Sequence, residues 1–545
     1  MSFLGADYDD GHPFEDNAFG IDCSANATAT MNVPMHVRVL GTTVFVLAWP
    51  FIVFDIAPIP IGRPTAAMAG GMFMVICRVF TQDQVYEIIG ERDNLQTLYL
   101  LIGMMILSYF FEREGILQAL LIKSFKSDQP FTKILWKVCV MSGVLSAFVT
   151  NDAACVILTP LLLEEHRKQG RSHKELLPFC LAIATSANIG SAATVFGNPQ
   201  NAYIASKAHV NLSTFFRAIL PAATVGVAIN IGLLYILSWR IGLLGKQETY
   251  DSVEGYNDDG RSEKQNGDID AAIEGNRSRQ ASHVLSNSIP MVQSGQHYDT
   301  PQQRARHETD PLLRSRREAE VELSGRAYLP WTPKRKILAG WLAFVSLAVV
   351  CLLAVPEHVA YFNLGLIPMG AAISSMMVDA VLNKINPNIA IMATDWTVIV
   401  MFMGLFAWDG GFEVTGYPRK LFDDGKHLMD VRTISGIAMF SIFVTIGSNV
   451  LSNVPLVILL ITKLSCLPGT DASTGSLPLE GCLLAWVSTV AGNLTLIGSV
   501  ANLIVAEKAK STIGYRLGFW DYLKFGLPST ILITIIGLPI VAFLA

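Results

Sequence analysis

Apolar runs of membrane-spanning length alternate with short polar interruptions along most of this chain. A helix crosses the hydrocarbon core with ~20 apolar residues. Runs near that length occupy 39–56, 58–80, 95–111, 175–208, 215–239, 337–355, 361–381, 395–411, 480–506 and 519–545, which predicts ten spans. Two further stretches, 134–163 and 434–464, have apolar arms around a polar break, at Thr150-Asn151-Asp152 and at Ser452-Asn453-Val454-Pro455. Each such stretch fits either one kinked span or a hairpin that dips into the bilayer and returns.

Charge favours the hairpin. Lys123, Lys126, Lys133 and Lys137 precede the first break, and His166, Arg167, Lys168, Arg171 and Lys174 follow it. Basic segments stay on the cytoplasmic side. A single span would put one cluster outside, whereas a re-entrant hairpin keeps both inside. The expected topology then has an acidic extracytoplasmic N-terminus over 1–35, a first transmembrane repeat over 36–241, a cytoplasmic loop over 242–336 and a second repeat over 337–545. The first 35 residues hold no Lys or Arg and no apolar core, so no cleavable signal sequence is expected there. One loop fits poorly: 412–433 should lie outside but carries Arg419, Lys420, Lys426 and Arg432.

The two halves repeat. A shift of about 301 residues brings Gly103, Phe111-Glu112 and Gly115 onto Gly404, Phe412-Glu413 and Gly416. It also brings Ser146 and Asn151 onto Ser448 and Asn453, Thr194-Val-Phe-Gly197 onto Thr495-Leu-Ile-Gly498, Asn201 onto Asn502, and Leu220-Pro221 onto Leu527-Pro528. Five spans per half is an odd number, so the second half should be inverted. The expected fold class is an all-α polytopic membrane protein, made of two inverted repeats of five spans plus one re-entrant hairpin each. Broken helices would meet at the midplane, where such repeats bind their solute.

Composition agrees: 51% of the residues are hydrophobic and only 16% are charged, against about a quarter charged in soluble domains. The segment 242–336 is rich in Ser, Gln, Gly, Asp and Arg and reads as disordered. Within it, Glu308, Leu312 and Leu313 outline an acidic dileucine signal for a sorting adaptor. The eight cysteines show no C-x-x-C pair and no His at metal spacing, so neither a metal nor a thiol redox site is expected. Cys466 and Cys482 flank a short loop on the outer side, where a disulfide between them is permitted; the alternative places Cys482 inside the start of its span.

The candidate chemistry sits in four polar breaks. They hold Thr150 and Asn151; Asn188, Asn198, Gln200 and Asn201; Ser452 and Asn453; and Asn493, Thr495, Ser499 and Asn502. Non-helical backbone at membrane depth persists only when buried in protein or lining water. Taken singly, each amide is as well explained as helix-packing glue. Four symmetric breaks point instead to solute binding. Asp152 has no carboxylate counterpart, because Val454 stands at its place. An ionisable residue at this depth is a functional candidate, here for proton coupling, and the alternative is a helix cap. Asp409, near a span end, reads as interfacial, and Asp395 as an N-cap.

The segments "SYFFEREGILQAL", "NDAACVILTPLLLE", "SANIGSAATVFGNPQNAYIA", "SNVLSNVPLVILL" and "AWVSTVAGNLTLIGSVANLIVAEKA" resemble the ion transporter superfamily that includes the arsenite pump subunit ArsB, the sodium/proton antiporter NhaD and the divalent anion/sodium symporters. The resemblance covers about 95–240 and 395–540 and is closer to the plant low-silicon-type silicic acid efflux transporters. It implies proton-coupled efflux of silicic acid, with arsenite as a second solute. The residue types suit a small neutral polyhydroxy solute, since no Lys or Arg lies within the breaks. A proton- or sodium-coupled carrier of citrate-like or inorganic anions is the alternative, and a channel stays open as a third class. An intramembrane enzyme is not expected: there is no G-x-S-x-G motif and no His within a span. No cofactor is expected beyond a coupling H+ or Na+. The expected partners are a small polar solute and the lipid bilayer, with a homodimer and the sorting adaptor as further candidates and no nucleic acid. The expected location is the plasma membrane, with endosomal or vacuolar membranes as alternatives.

Overall fold

A computed structural model describes residues 33–53, 61–115, 129–243, 332–353, 364–471 and 476–545. The chain divides into two units, one formed by Met1–Gly245 with Arg326–Ala545 and the other by Lys246–Gly325. The acidic segment 1–32, Lys123 and Lys126, and the segment 244–331 with Glu308, Leu312 and Leu313 lie outside the described residues.

Among the described residues every regular element is a helix. The first half comprises α1 (Met35–Val53), α2 (Arg63–Ile76), α3 (Gln82–Gly90), α4 (Arg92–Arg113), α5 (Phe131–Phe148), α6 (Asn151–Lys168), α7 (Leu176–Ser191), α8 (Pro199–Lys207) and α9 (Leu212–Arg240). The second comprises α10 (Pro333–Leu353), α11 (Leu366–Asn383), α12 (Asn388–Met392), α13 (Trp396–Val414), α14 (Tyr417–Gly425), α15 (Ile434–Leu451), α16 (Asn453–Ile461), α17 (Pro478–Ala491), α18 (Val500–Ile513) and α19 (Phe519–Leu544).

Nine of the described helices are long and apolar enough to cross a bilayer, and they are not the ten runs read from the sequence. Seven of those runs appear, as α1, α4, α9, α10, α11, α13 and α19. The runs 175–208 and 480–506 are each broken into two shorter helices, α7 with α8 and α17 with α18. The run 58–80 yields only the 14 residues of α2, because a turn over 77–80 and the Thr81 capping box of α3 end it early. The outgoing hairpin arms α5 and α15 complete the nine. In both stretches the polar break separates two helical arms that touch each other.

Contacts between the halves are reciprocal. Helix α2 packs on α13, and their counterparts α11 and α4 pack on each other. Hairpin arm α6 packs on α18, while its counterpart α16 packs on α8, the counterpart of α18. Helices α9 and α19, themselves counterparts, pack together. When element X touches Y′ and Y touches X′, the contact is isologous, as across a twofold axis. Small residues let these helices approach. A Cβ on Gly71 would stand 2.8 Å from Ala407 Cβ and 3.2 Å from the Gly404 carbonyl oxygen, and one on Gly404 would stand 2.5 Å from Met68 N.

Two of the four basic residues of 412–433 share one acid. Asp423 takes Arg419 at 3.8 Å and Lys426 at 2.7 Å, which weakens their vote on sidedness. Of the two alternatives for Cys466 and Cys482, the disulfide between them is not formed and Cys482 sits within its span. Cys466 is disulfide-bonded, but Cys482 is free. Cys482 lies inside α17 and is fully buried, facing the core rather than the loop.

Candidate functional site

The hairpin tips are built alike. Thr150, between α5 and α6, has φ 119° and ψ 151°. Ser452, between α15 and α16, has φ 73° and ψ 158°. Both are left-handed extended conformations that only glycine adopts readily. Thr150 Oγ1 accepts from Ala153 N–H at 3.3 Å and caps α6, whereas the Ser452 side chain makes no cap bond. The strained turn delivers the next residue, Asn151 or Asn453, to the start of the returning arm, where both are buried.

The breaks in the neighbouring helices are held by matching amides. Asn201 Nδ2 donates to the carbonyls of Ser191, Ala192 and Thr194 at 3.1–3.4 Å. Asn502 Nδ2 donates to Gly492 and Thr495 carbonyls at 2.8 and 3.0 Å. Gly492 and Thr495 are the counterparts of Ser191 and Thr194, so one bond pattern occurs twice. These bonds satisfy carbonyls that the interrupted helices leave open.

Side chains then join the two breaks. Asn188 Nδ2 donates to Asn493 Oδ1 at 2.8 Å and to Asn502 Oδ1 at 2.9 Å. Asn188 Oδ1 accepts from Asn151 Nδ2 at 2.9 Å and from Ser499 Oγ at 3.0 Å. Asn493 Nδ2 is anchored on the Thr185 carbonyl at 3.1 Å. On the other side Thr489 Oγ1 donates to Asn201 Oδ1 at 3.2 Å and accepts from Asn198 Nδ2 at 3.2 Å and Gln200 Nε2 at 3.4 Å. The backbone anchors of Asn502 and Asn493 fix which end of each amide is the acceptor. That fixes Asn188, and through Asn188 it fixes Asn151 with its oxygen outward. Asn151 Oδ1 and Asn453 Oδ1 are buried and have no hydrogen-bond partner. A Cβ on Gly492 would stand 3.2 Å from Asn453 Nδ2, so the second hairpin tip also adjoins this break.

The structure thus brings Asn151, Asn188, Asn493, Ser499 and Asn502 into one network, and Asn198, Gln200 and Asn201 into a second. Thr495 stands aside, donating to Asn449 Oδ1 at 3.1 Å. Thr489 and Asn449 were not singled out in the sequence. Thr489 could have been found, since the 301-residue shift places it on Asn188. Asn230, in the middle of α9, donates to Thr185 Oγ1 and Ser186 Oγ at 2.8 and 2.9 Å; a lone amide in an apolar span was its signal.

Asp152 lies beside the Ala501 backbone N–H, in the first turn of α18, and its Oδ1 is buried without a hydrogen-bond partner. Ser499, the N-cap residue of α18, makes no side-chain cap bond. A first-half carboxyl therefore stands at the start of a second-half helix. Arg63 and Asp395 are the charges that act on it. Asp395 caps α13 through Thr397 N–H at 3.1 Å. Asp409 is buried within the protein, 1% exposed, on α13, against which α2 and α16 pack.

The sequence matches the family model described as citrate transporter over residues 45–491. Over 92% of this chain it is 31% identical to the silicon efflux transporter LSI3 of Oryza sativa subsp. japonica, of which it covers 97%. Over 89% of the chain it is 28% identical to the putative transporter arsB of Dictyostelium discoideum, covering 88% of that protein. Among solved structures it is similar to Neisseria gonorrhoeae MtrF, from work on a class of antimetabolite efflux pumps. That match has a TM-score of 0.51 and 11% identity over 95% of this chain and 97% of that one, a likeness of fold alone.

Proposed function

The chain belongs to the citrate transporter family and is a multi-pass secondary transporter, and from that premise we propose that it exports silicic acid in exchange for protons. The observation that carries this reading is the state of the amides at the breaks. Asn188, Asn198, Asn201 and Asn502 commit both amide N–H groups to protein acceptors, and Gln200 and Asn493 one each. Among the open buried groups are two acceptors, Asn151 Oδ1 and Asn453 Oδ1, one at each hairpin tip. Open buried acceptors call for a solute that donates, and silicic acid is a neutral molecule bearing four hydroxyl donors. A site without Lys or Arg also avoids an uncompensated charge when empty. The similarity to a silicon efflux transporter over nearly the whole chain supports the same solute. Arsenous acid, also neutral and polyhydroxylated, is a second solute, and the arsB relative is consistent with it.

In this reading the reciprocal helix pairs are two inverted repeats, the hairpins enter from opposite faces, and the plasma membrane is the site of action. Asp152 is the coupling group. Ionised, it is attracted to the N-terminus of α18 in the other half, beside Ala501 N–H; protonated, it loses that attraction. Proton arrival would then loosen one inter-repeat contact and favour the alternate access state.

A second reading has an observation of its own. Helices α6, α8, α16 and α18 all begin at the four breaks, and helix N-termini attract anions. A citrate-like anion carried with H+ or Na+ would use them, in keeping with the family's description. Efflux from preloaded oocytes, with germanic acid, silicic acid, arsenite and citrate compared, separates the two. Silicic and germanic acid should leave uphill under an inward proton gradient, and an uncoupler should stop the uphill component. Citrate efflux without silicic acid efflux would overturn the solute assignment. Silicic acid flux that is never uphill would make the protein a channel.

A further inference from the structure

Outside the amide networks, Asp409 on α13 is 1% exposed, and neither of its carboxyl oxygens has a hydrogen-bond partner. An ionised carboxylate without donors in such a place is costlier than a neutral acid. One turn away on the same helix, Glu413 Oε2 holds Lys463 Nζ at 2.7 Å, and Lys463 also donates to the Leu459 carbonyl at 2.6 Å. The Lys463 side chain is 4% exposed and that of Glu413 34%. Asp409 and Glu413 are four residues apart, hence neighbours on one helix face. Lys463 follows directly on α16, the returning arm of the second hairpin. The charged groups that act on Asp409 are Lys463 and Glu413, and Tyr203 of α8 lies within its field.

We propose that Asp409 is a second proton-binding group of this carrier, and that Lys463 switches between Glu413 and Asp409 as the second hairpin moves. A slide of one helical turn, about 5.4 Å, takes the ammonium from one carboxylate to the other. Asp409 then gives its proton to water and pairs with Lys463, while Glu413, a third exposed, stays ionised in solvent. Charge balances: a neutral acid and a Lys–Glu pair become a Lys–Asp pair, a free glutamate and one released proton. The first half has no such device, since Ser108 and Leu161 stand at the positions of Asp409 and Lys463. Asp152 at a hairpin tip of the first half and Asp409 on a span of the second are thus both carboxyls without a counterpart in the other half. The part played in transport rests on the carrier reading; the test does not, because it needs no solute.

Infrared spectroscopy of the purified full-length protein reads the protonated carboxyl directly. Asp409→Asn should remove one protonated-carboxyl band that Asp152→Asn leaves in place. Glu413→Gln should remove the same band, because Lys463 then has Asp409 as its only carboxylate. Lys463→Met should keep the band at alkaline pH, where the unsubstituted protein loses it. A band that survives Glu413→Gln, or a spectrum unchanged by Asp409→Asn, overturns the proposal. Should Asp409→Asn fail to fold, Glu413→Gln decides alone, as Glu413 reaches solvent. If these bands behave as stated and silicic acid is not exported, the solute assignment falls and the proton site stands.

Discussion

Asn188 donates to Asn502 Oδ1 at 2.9 Å, and Thr489 donates to Asn201 Oδ1 at 3.2 Å. Thr489 is the counterpart of Asn188, and Asn502 that of Asn201, under one shift of 301 residues. The halves therefore exchange the same bond in both directions. This pair of bonds lies where all four breaks come together, so the symmetry is expressed at the residues that would meet a solute. Asn188→Ala would leave the acceptors of Asn493 and Asn502 and the Asn151 amide without their partner. Each buried polar group so exposed costs about 1–3 kcal/mol. The expected result is a large fall in melting temperature in detergent and loss of transport. Thr489→Ala should cost less, because it removes a hydroxyl rather than the hub of a network. A double-mutant cycle on Asn188 and Asn502 should give a coupling of about 0.5–3 kcal/mol, and additive effects would remove the hub role.

The hairpin tips make a second, opposite prediction. Ser452 has a glycine-like backbone and its side chain makes no cap bond, so Ser452→Gly should stabilise the protein by about 1–3 kcal/mol. Thr150 has a similar backbone but caps α6 through Ala153 N–H. Thr150→Gly relieves the strain and loses a cap worth about 1 kcal/mol, so its melting temperature should rise less. Equal shifts, or a fall for Ser452→Gly, would show that the strain is not there to relieve.

How much of this was legible beforehand varies by physical cause. The breaks were readable, because Gly, Asn and Pro interrupting an apolar run leave a mark in sequence. Span lengths were less so. The run 58–80 is mostly apolar up to Cys77, yet α2 is ended by a turn and by the Thr81 cap. Burial of Asp409 was not legible, since depth is set by the helices that pack against α13 and not by its own position near the helix end. Nor could sequence tell a free amide from a committed one. Asn201 and Asn502 look like ligands in a list, but three-dimensional proximity turns their N–H groups inward onto the backbone of their own breaks.

A buried ion pair ties the halves together away from the site. Arg113 of α4 makes two bonds to Asp379 of α11, at 2.7 and 2.6 Å, with Glu114 at 3.1 Å. Both side chains are at most 5% exposed. Asp379→Asn leaves a buried guanidinium short of charge and should cost about 3–5 kcal/mol. Replacing both residues with apolar ones of similar volume should recover most of that loss. Thermal unfolding of the two single variants and the double variant checks this, and a double variant no better than the singles would refute it.

Close helix approach gives a steric prediction. A Cβ on Gly190 would run into the Gly143 backbone, where α7 crosses α5. Gly190→Ala must therefore push the first hairpin away from the broken helix behind it. Overpacking of this kind costs about 1–3 kcal/mol, and more where backbone is struck. Because Asn151 reaches Asn188 from that same hairpin, the displacement should also weaken the network. Transport should fall more than the melting temperature alone would suggest. A variant that is destabilised yet transports normally at low temperature would show that the hairpin position is not critical.

The proton role of Asp152 can be separated from its structural one by choosing the substituent. The carboxyl lies beside the Ala501 N–H at the start of α18, in the opposite half. Asparagine offers a carbonyl oxygen in the same place but cannot take up and release a proton. Asp152→Asn should therefore keep a polar acceptor at the helix start, lose only a few tenths to about 1 kcal/mol of helix-terminus charge interaction, and fold. In vesicles it should still exchange silicic or germanic acid between the two sides. Uphill efflux driven by an inward proton gradient should disappear, and the remaining flux should no longer respond to pH. Asp152→Ala removes both functions and should lower the melting temperature by the further cost of a lost acceptor at the helix start, about 1 kcal/mol. If Asp152→Asn still drives uphill efflux with unchanged pH dependence, coupling resides in other groups, Asp409 first among them. If Asp152→Asn and Asp152→Ala are equally unstable and equally inactive, the residue is a helix cap and nothing more.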